Sequence, residues 1–144
     1  MDRDWLRGLF ALWQQPDHAT DLDAAFAAFY TDPVIVNGVE TSIADMVVRA
    51  RALNAALEGL TAEILQVVDG DGSLAVAFVM RGRHTGPYAG PLGIVQPTGI
   101  DVDIRTTDIL TLTAGKVSRI WVIADDLGLL RQLGAVSGTT PRSG

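Results

Sequence analysis

The chain has 144 residues and a mass of 15.3 kDa, the size of one domain at ~100–200 residues each. It is 48% hydrophobic, carries a formal charge of -6 and has no cysteine. These figures exclude thiol catalysis, thiolate zinc sites and a disulfide framework. Two histidines, His18 and His84, are too few for an all-histidine metal cluster. The acidic balance repels phosphate backbones, so no nucleic-acid partner is expected. Apolar runs fall well short of the ~20 residues that span a bilayer. Met1-Asp2-Arg3-Asp4-Trp5 sets acids where a secretory signal carries positive charge. No membrane partner and a cytoplasmic location are therefore expected.

In chain order, residues 4 to 14 place Trp5, Leu6, Leu9, Phe10, Leu12 and Trp13 at helical spacing. A second helix carries Leu22, Phe26 and Phe29 and stops at Thr31-Asp32-Pro33, since the residue before proline is pushed out of the α region. Val34-Ile35-Val36 is a short strand ended by Asn37-Gly38. Ser42 is a plausible N-cap with Asp45 in the first turn. Ile43, Met46, Val47, Ala50, Leu53, Asn54 and Leu57 then mark the stripe of a long helix that Gly59 ends.

From Thr61 the period becomes two. Strands over 61–68 and 74–84 flank a hairpin turn at Asp69-Gly70-Asp71-Gly72. Residues 85–99, rich in glycine and proline, cannot be regular throughout. Strands over 100–113 and 117–124 follow, joined at Ala114-Gly115-Lys116. A short helix over 125–133 closes the chain, and a flexible tail is expected over 135–144. Helices followed by strands joined through hairpins predict an α+β fold, not a parallel doubly wound sheet. A curved antiparallel sheet covered by the N-terminal helices can close into a cone around an interior pocket.

The segment Arg83-His84-Thr85-Gly86-Pro87-Tyr88-Ala89-Gly90 with Pro97-Thr98-Gly99 resembles the "G-T-H-x-G-x-x-x-G … P-T-G" run of SnoaL-like polyketide and ester cyclases. Asp108-Ile109-Leu110, Gly115-Lys116-Val117 and Trp121-Val122-Ile123-Ala124-Asp125 resemble their "D-I-x … G-K-I … W-x-x-x-D" run. The sequence from Asp126 to Gly134 resembles their "L-x-x-Q-L-G" end. The resemblance implies one domain over 1–134 with the nuclear transport factor two-like fold. It further implies intramolecular aldol closure of a hydrophobic polyketide-like substrate, with no metal or organic cofactor, and a homodimer. Carrying the family's acid/base aspartate across lands on Asp125. Arg83, Ile100 and the long connection from Gly90 to Pro97 depart from the pattern and bear on the substrate.

Aldol closure needs a proton taken beside one carbonyl and a proton given to another. One carboxyl can do both if an apolar pocket raises its pKa. Strict alternation puts Val117, Arg119, Trp121, Ile123 and Asp125 on one strand face, so Trp121 would line the pocket with Asp125 at its rim. The alternative for Asp125 is a helix N-cap, a role open to Asp126 as well. His84 either donates to a substrate oxygen or is satisfied by a neighbour. Asp108 shares a face with Val102, Ile104, Thr106 and Leu110, where a carboxylate must be paired or functional. A His84–Asp108 pair would meet that need. Met46, Met80, Asn54 and Tyr88 are the further candidates for substrate contact. Two other readings stand beside the cyclase: a non-catalytic binder of small hydrophobic ligands, and an epoxide-hydrolase-like or isomerase-like enzyme. The hydrolase would use two carboxylates bridged by Arg105 or Arg119.

Overall fold

A computed structural model of the chain describes residues 2–136, so most of the expected tail lies outside the described residues. Helix α1 (Arg3–Gln14) starts where the Asp2 carboxylate accepts from the Asp4 N–H at 2.9 Å, and it buries Leu6, Leu9 and Phe10. A 3-10 turn at Pro16–His18 leads to α2 (Leu22–Ala27), capped by Asp21 and anchored by buried Leu22 and Phe26.

The second helix stops earlier than expected and the strand after it starts earlier. Strand β1 spans Tyr30–Val36 rather than only 34–36. Pairing decides the difference: Tyr30 sits opposite Val117, and the Val117 N–H donates to the Phe29 carbonyl at 2.7 Å. Asn37 and Gly38, both at positive φ, turn the chain into β2 (Val39–Thr41), an element not expected from the sequence.

Ser42 does cap α3 (Ile43–Ala56), accepting from the Asp45 N–H at 3.1 Å. The helix ends before Leu57, which opens β3 (Leu57–Gly70) opposite His84. Gly59, at φ +64, sits in a bulge of that strand rather than at a helix end. Strands β4 (Ser73–His84), β7 (Asp101–Thr113) and β8 (Lys116–Ala124) are long. A small hairpin, β5 (Tyr88–Gly90) with β6 (Gly93–Val95), occupies part of the glycine- and proline-rich segment. Helix α4 (Asp126–Gln132) closes the described chain.

The main sheet has the order β2-β1-β8-β7-β4-β3. It is not wholly antiparallel as expected, because β1 and β8 run parallel. Register shifts in β3 and β8 bend the sheet. Helices α1 and α3 fill its concave side, packing Leu6, Phe10 and Met46 against Val76, Phe78 and Leu110. Among the described residues no helix is long and apolar enough to cross a membrane.

One bulge overturns the expected face of β8. Thr111 pairs with Arg119 but Leu112 pairs with Val117, so Ser118 is an extra residue. Such an insertion reverses which side chains point inward. Val117 is buried, and beyond the bulge the inward set is Ile120, Val122 and Ala124. Trp121 is 46% exposed and Ile123 77% exposed, on the outer face.

Candidate active site

Between the concave sheet and helices α1 and α3 lies a cavity of about 250 Å³. Its walls are almost entirely apolar, with Phe10 and Trp13 from α1, Met46 and Leu53 from α3, and Phe78, Met80, Ile104, Ile120 and Val122 from the sheet. Each sheet residue is there because alternation within β4, β7 and β8 aims it inward.

One carboxyl group lies inside. Asp108 occupies an inward position of β7 between Val76 of β4 and Val122 of β8, and it lines the cavity. Its Oδ1 is buried with no hydrogen-bond partner. Burial raises this carboxyl from 3.8 to about 7, because removing a carboxylate from water disfavours its charge. Near neutral pH both its protonated and ionised forms are therefore populated, the condition that general acid–base work requires.

Tyr30, only 4% exposed, also lines the cavity. Its hydroxyl accepts from the Trp13 indole N–H at 2.9 Å. Burial chiefly, with the Asp108 carboxyl adding to it, holds the phenol in its protonated form. Around the rim stand Gln14, Arg49, Tyr88 and Asp126. The Tyr88 phenol is pushed up by partial burial and then by the charge of Asp126.

The remaining candidates separate sharply. Met46, Met80 and Tyr88 line the cavity, as does Asp108. Trp121 does not, for the reason given by the bulge. Asn54 is also outside the lining: its Nδ2 donates to the Trp13 carbonyl at 2.6 Å and to the Ala50 carbonyl at 2.9 Å. Asp125 is exposed, and its carboxylate accepts from the Gly128 N–H at 2.9 Å as the N-cap of α4. Its neighbour Asp126 reaches the rim instead.

The proposed His84–Asp108 pair is not formed. The residue opposite Asp108 on β4 is Val76, eight positions from His84, or roughly 26 Å along a strand at ~3.3 Å per residue. His84 is fully buried, and its Nδ1 accepts from the Thr98 N–H at 3.2 Å. The His84 backbone bonds Gly99 and Ile100. The two glycine-flanked motifs that bear the family resemblance thus fasten to each other, the Pro97-Thr98-Gly99 strap lying on the end of β4.

Residues 4–133 match the family described as SnoaL-like polyketide cyclase. The chain belongs to that family. Solved structures with the same fold include TsrD from Streptomyces laurentii, at 21% identity and TM-score 0.79, covering 93% of this chain and 95% of that one. AclR from Streptomyces galilaeus is 24% identical with TM-score 0.76, covering 96% of this chain and 88% of that one. A SnoaL-like polyketide cyclase from Agrobacterium tumefaciens is 17% identical with TM-score 0.75, covering 93% and 100%. No curated protein matches the chain. Within this SnoaL-like fold, sequence reading missed Tyr30 and its tie to Trp13. The signal available was an aromatic beside Thr31-Asp32-Pro33, which reads as a helix end unless the pairing with β8 is known.

Proposed function

We propose that this SnoaL-like protein is a cyclase-type enzyme that moves a proton beside a carbonyl of a hydrophobic, polyketide-like substrate, with Asp108 as acid and base. No metal or organic cofactor enters this scheme. The observation that carries the reading is a carboxyl with a buried, unpartnered oxygen, raised to about 7, inside a largely apolar cavity.

Ionised Asp108 takes a proton from the carbon beside a carbonyl, and the C–H electron pair becomes the C=C bond of an enolate. In an intramolecular aldol closure that carbon forms a C–C bond to a second carbonyl carbon. The second carbonyl's π pair becomes an alkoxide, which takes the proton held by Asp108. The carboxyl returns to its starting form and atoms and charge balance. Asp125, to which the resemblance assigns this role, serves in this scheme as the cap of α4.

A cavity near 250 Å³ is somewhat smaller than the ~300–1,000 Å³ usual for ligand sites. It suits one or two fused rings, with the rest of a longer substrate leaving past Arg49 and Tyr88. The hydrolase alternative is disfavoured, since Arg105 and Arg119 are exposed and outside the lining. We propose further that a second copy covers the outer-face patch where Ile109 pairs with Trp121 beside Ile123, as an isologous dimer would.

The test is deuterium exchange at the α-carbons of β-tetralone, a two-ring ketone, followed by NMR in D2O. The expected result is exchange above buffer that rises with pH through about 7. Asp108→Asn should lower it by about 10²–10⁴-fold. Wild-type protein that binds β-tetralone without exchanging it would favour a ligand-binding protein and overturn the enzyme reading.

A further inference from the structure

Asp108 supplies a base, but an enolate forming in an apolar cavity needs a partner for its oxygen. Bare negative charge is costly where water is excluded. Most of the lining is apolar, and the neutral donors it holds are the Gln14 amide and Tyr88 hydroxyl at the rim and the Thr106 and Tyr30 hydroxyls inside. Arg49 and Asp126 stand at the rim, and the Trp13 indole N–H is already spent on Tyr30.

Of the two buried hydroxyls, that of Tyr30 is the one held in place by a side-chain hydrogen bond, from Trp13. Its hydroxyl oxygen receives the Trp13 proton, yet among the described residues its own O–H has no acceptor. A phenol can accept and donate at once, so this proton is free to enter the cavity that both Tyr30 and Asp108 line. Nor is the geometry left to chance. Trp13 lies in the last turn of α1, where backbone carbonyls lack helical partners. Asn54 of α3 takes up that carbonyl at 2.6 Å. Trp13 is also packed edge-on against Phe26, with centroids 5.5 Å apart, and Phe26 stacks on Tyr30 at 5.6 Å. The chain Asn54–Trp13–Tyr30 therefore runs from one helix, through another, to the start of β1.

We infer that Tyr30 is a catalytic residue, its hydroxyl donating a hydrogen bond to the carbonyl oxygen of the ligand and to the enolate that develops there, with Trp13 and Asn54 as positioning residues. This rests on the proposed proton-transfer reading. Asp108 and Tyr30 then divide the work: the carboxylate removes the proton from carbon while the phenol holds the oxygen that gains charge. No proton needs to leave Tyr30. A fixed donor of this kind acts most strongly where charge grows in the transition state, at low effective dielectric. Placing the acceptor ring beside Trp13 and Phe10 also favours a planar, aromatic-sized ketone over a flexible aliphatic one.

Two probes separate this inference from the reading beneath it. With β-tetralone, Tyr30→Phe should lower the exchange kcat by about 10²-fold with little change in KM, because one oxyanion donor is lost. Trp13→Phe should give a smaller fall in kcat, and no further fall in a Tyr30→Phe background, since the two act through one bond. A merely structural role for Trp13 would give additive losses. The second probe is 2-naphthol, a phenolic enolate mimic, whose binding is read by fluorescence without any turnover. Tyr30→Phe should weaken it about tenfold. If Asp108→Asn removes exchange while Tyr30→Phe stays within twofold of wild type on both probes, Tyr30 has no such role and the proton-transfer reading stands. If the wild-type protein shows no exchange, that reading fails, and unchanged 2-naphthol binding in Tyr30→Phe overturns the donor role on its own.

Discussion

Asp108 and Asp125 bear the same side chain and lie close in the sheet's order: Asp125 comes three residues beyond Val122, the β8 partner of Asp108. Their surroundings are opposite. Asp108 faces inward among valines and aromatics with an oxygen that no donor reaches. Asp125 has left the strand, stands in solvent and accepts a backbone N–H at 2.9 Å. The first is a carboxyl that burial leaves without a partner at Oδ1. The second is a carboxylate occupied by the helix it starts. The family resemblance points to the carboxylate at the end of β8, but the pKa of a carboxyl is raised by desolvation, and the desolvated one is on β7.

The largest effect is expected at Asp108, in the pH dependence of stability. In the unfolded chain Asp108 ionises near 3.8, and in the folded chain near 7. The folded state thus holds this proton more tightly. Its contribution to stability is full below about 3.8, falls as pH rises, and levels off above about 7. At ~1.4 kcal/mol per pH unit, the loss sums to about 4 kcal/mol. Asp108→Asn has no such proton to lose. Urea unfolding at pH 4 and pH 8 should therefore show the variant gaining about 4 kcal/mol on the wild type across that range. A constant difference would mean that Asp108 is not desolvated as described.

A smaller effect is expected at the other carboxylate. Asp125→Ala removes the cap of α4 and should cost about 1 kcal/mol of stability, while β-tetralone exchange per folded molecule stays within twofold. A collapse of exchange in Asp125→Ala without loss of stability would reverse the assignment of the two residues.

The reach of sequence reasoning follows from where the chain keeps its period. Long elements with uninterrupted spacing were legible: α1, α3 with its Ser42 cap, and β7, where Val102, Ile104, Thr106 and Leu110 alternate inward and carry Asp108 with them. That is why the inward aspartate was correctly placed on a buried face. The long strands that contain bulges were not legible beyond them. In β3 the register shifts twice, near Gly59 and near Leu65, and in β8 once at Ser118. Each added residue exchanges the two faces, and composition gives no sign of it, because Trp121 and Ile123 look as fit for a core as Val122. The parallel pairing of β1 with β8 joins residues some eighty positions apart, so nothing local foretold that Tyr30 would open a strand. A buried Asp108 calls for a partner and His84 lies on a neighbouring strand, but register, which sequence does not supply, separates the two by eight residues along β4.

The smallest effect is expected on β8, where the bulge exchanges the two faces. Ile123 is 77% exposed on the outer surface and Val122 stands in the cavity wall. Under unbroken alternation from Val117 the two would trade places. With the bulge at Ser118, Ile123→Ser should leave the unfolding free energy at low protein concentration within about 0.5 kcal/mol of wild type, as surface changes do. It should also leave 2-naphthol binding unchanged. Val122→Ser, by contrast, sets a hydroxyl in the apolar wall next to Asp108 and should weaken 2-naphthol binding measurably. At higher protein concentration Ile123→Ser gains a second meaning. If a partner copy covers the Ile109–Trp121 patch, light scattering should show the variant shifted toward the monomer mass. Equal masses for variant and wild type would remove that interface while leaving the inward face of β8 as described.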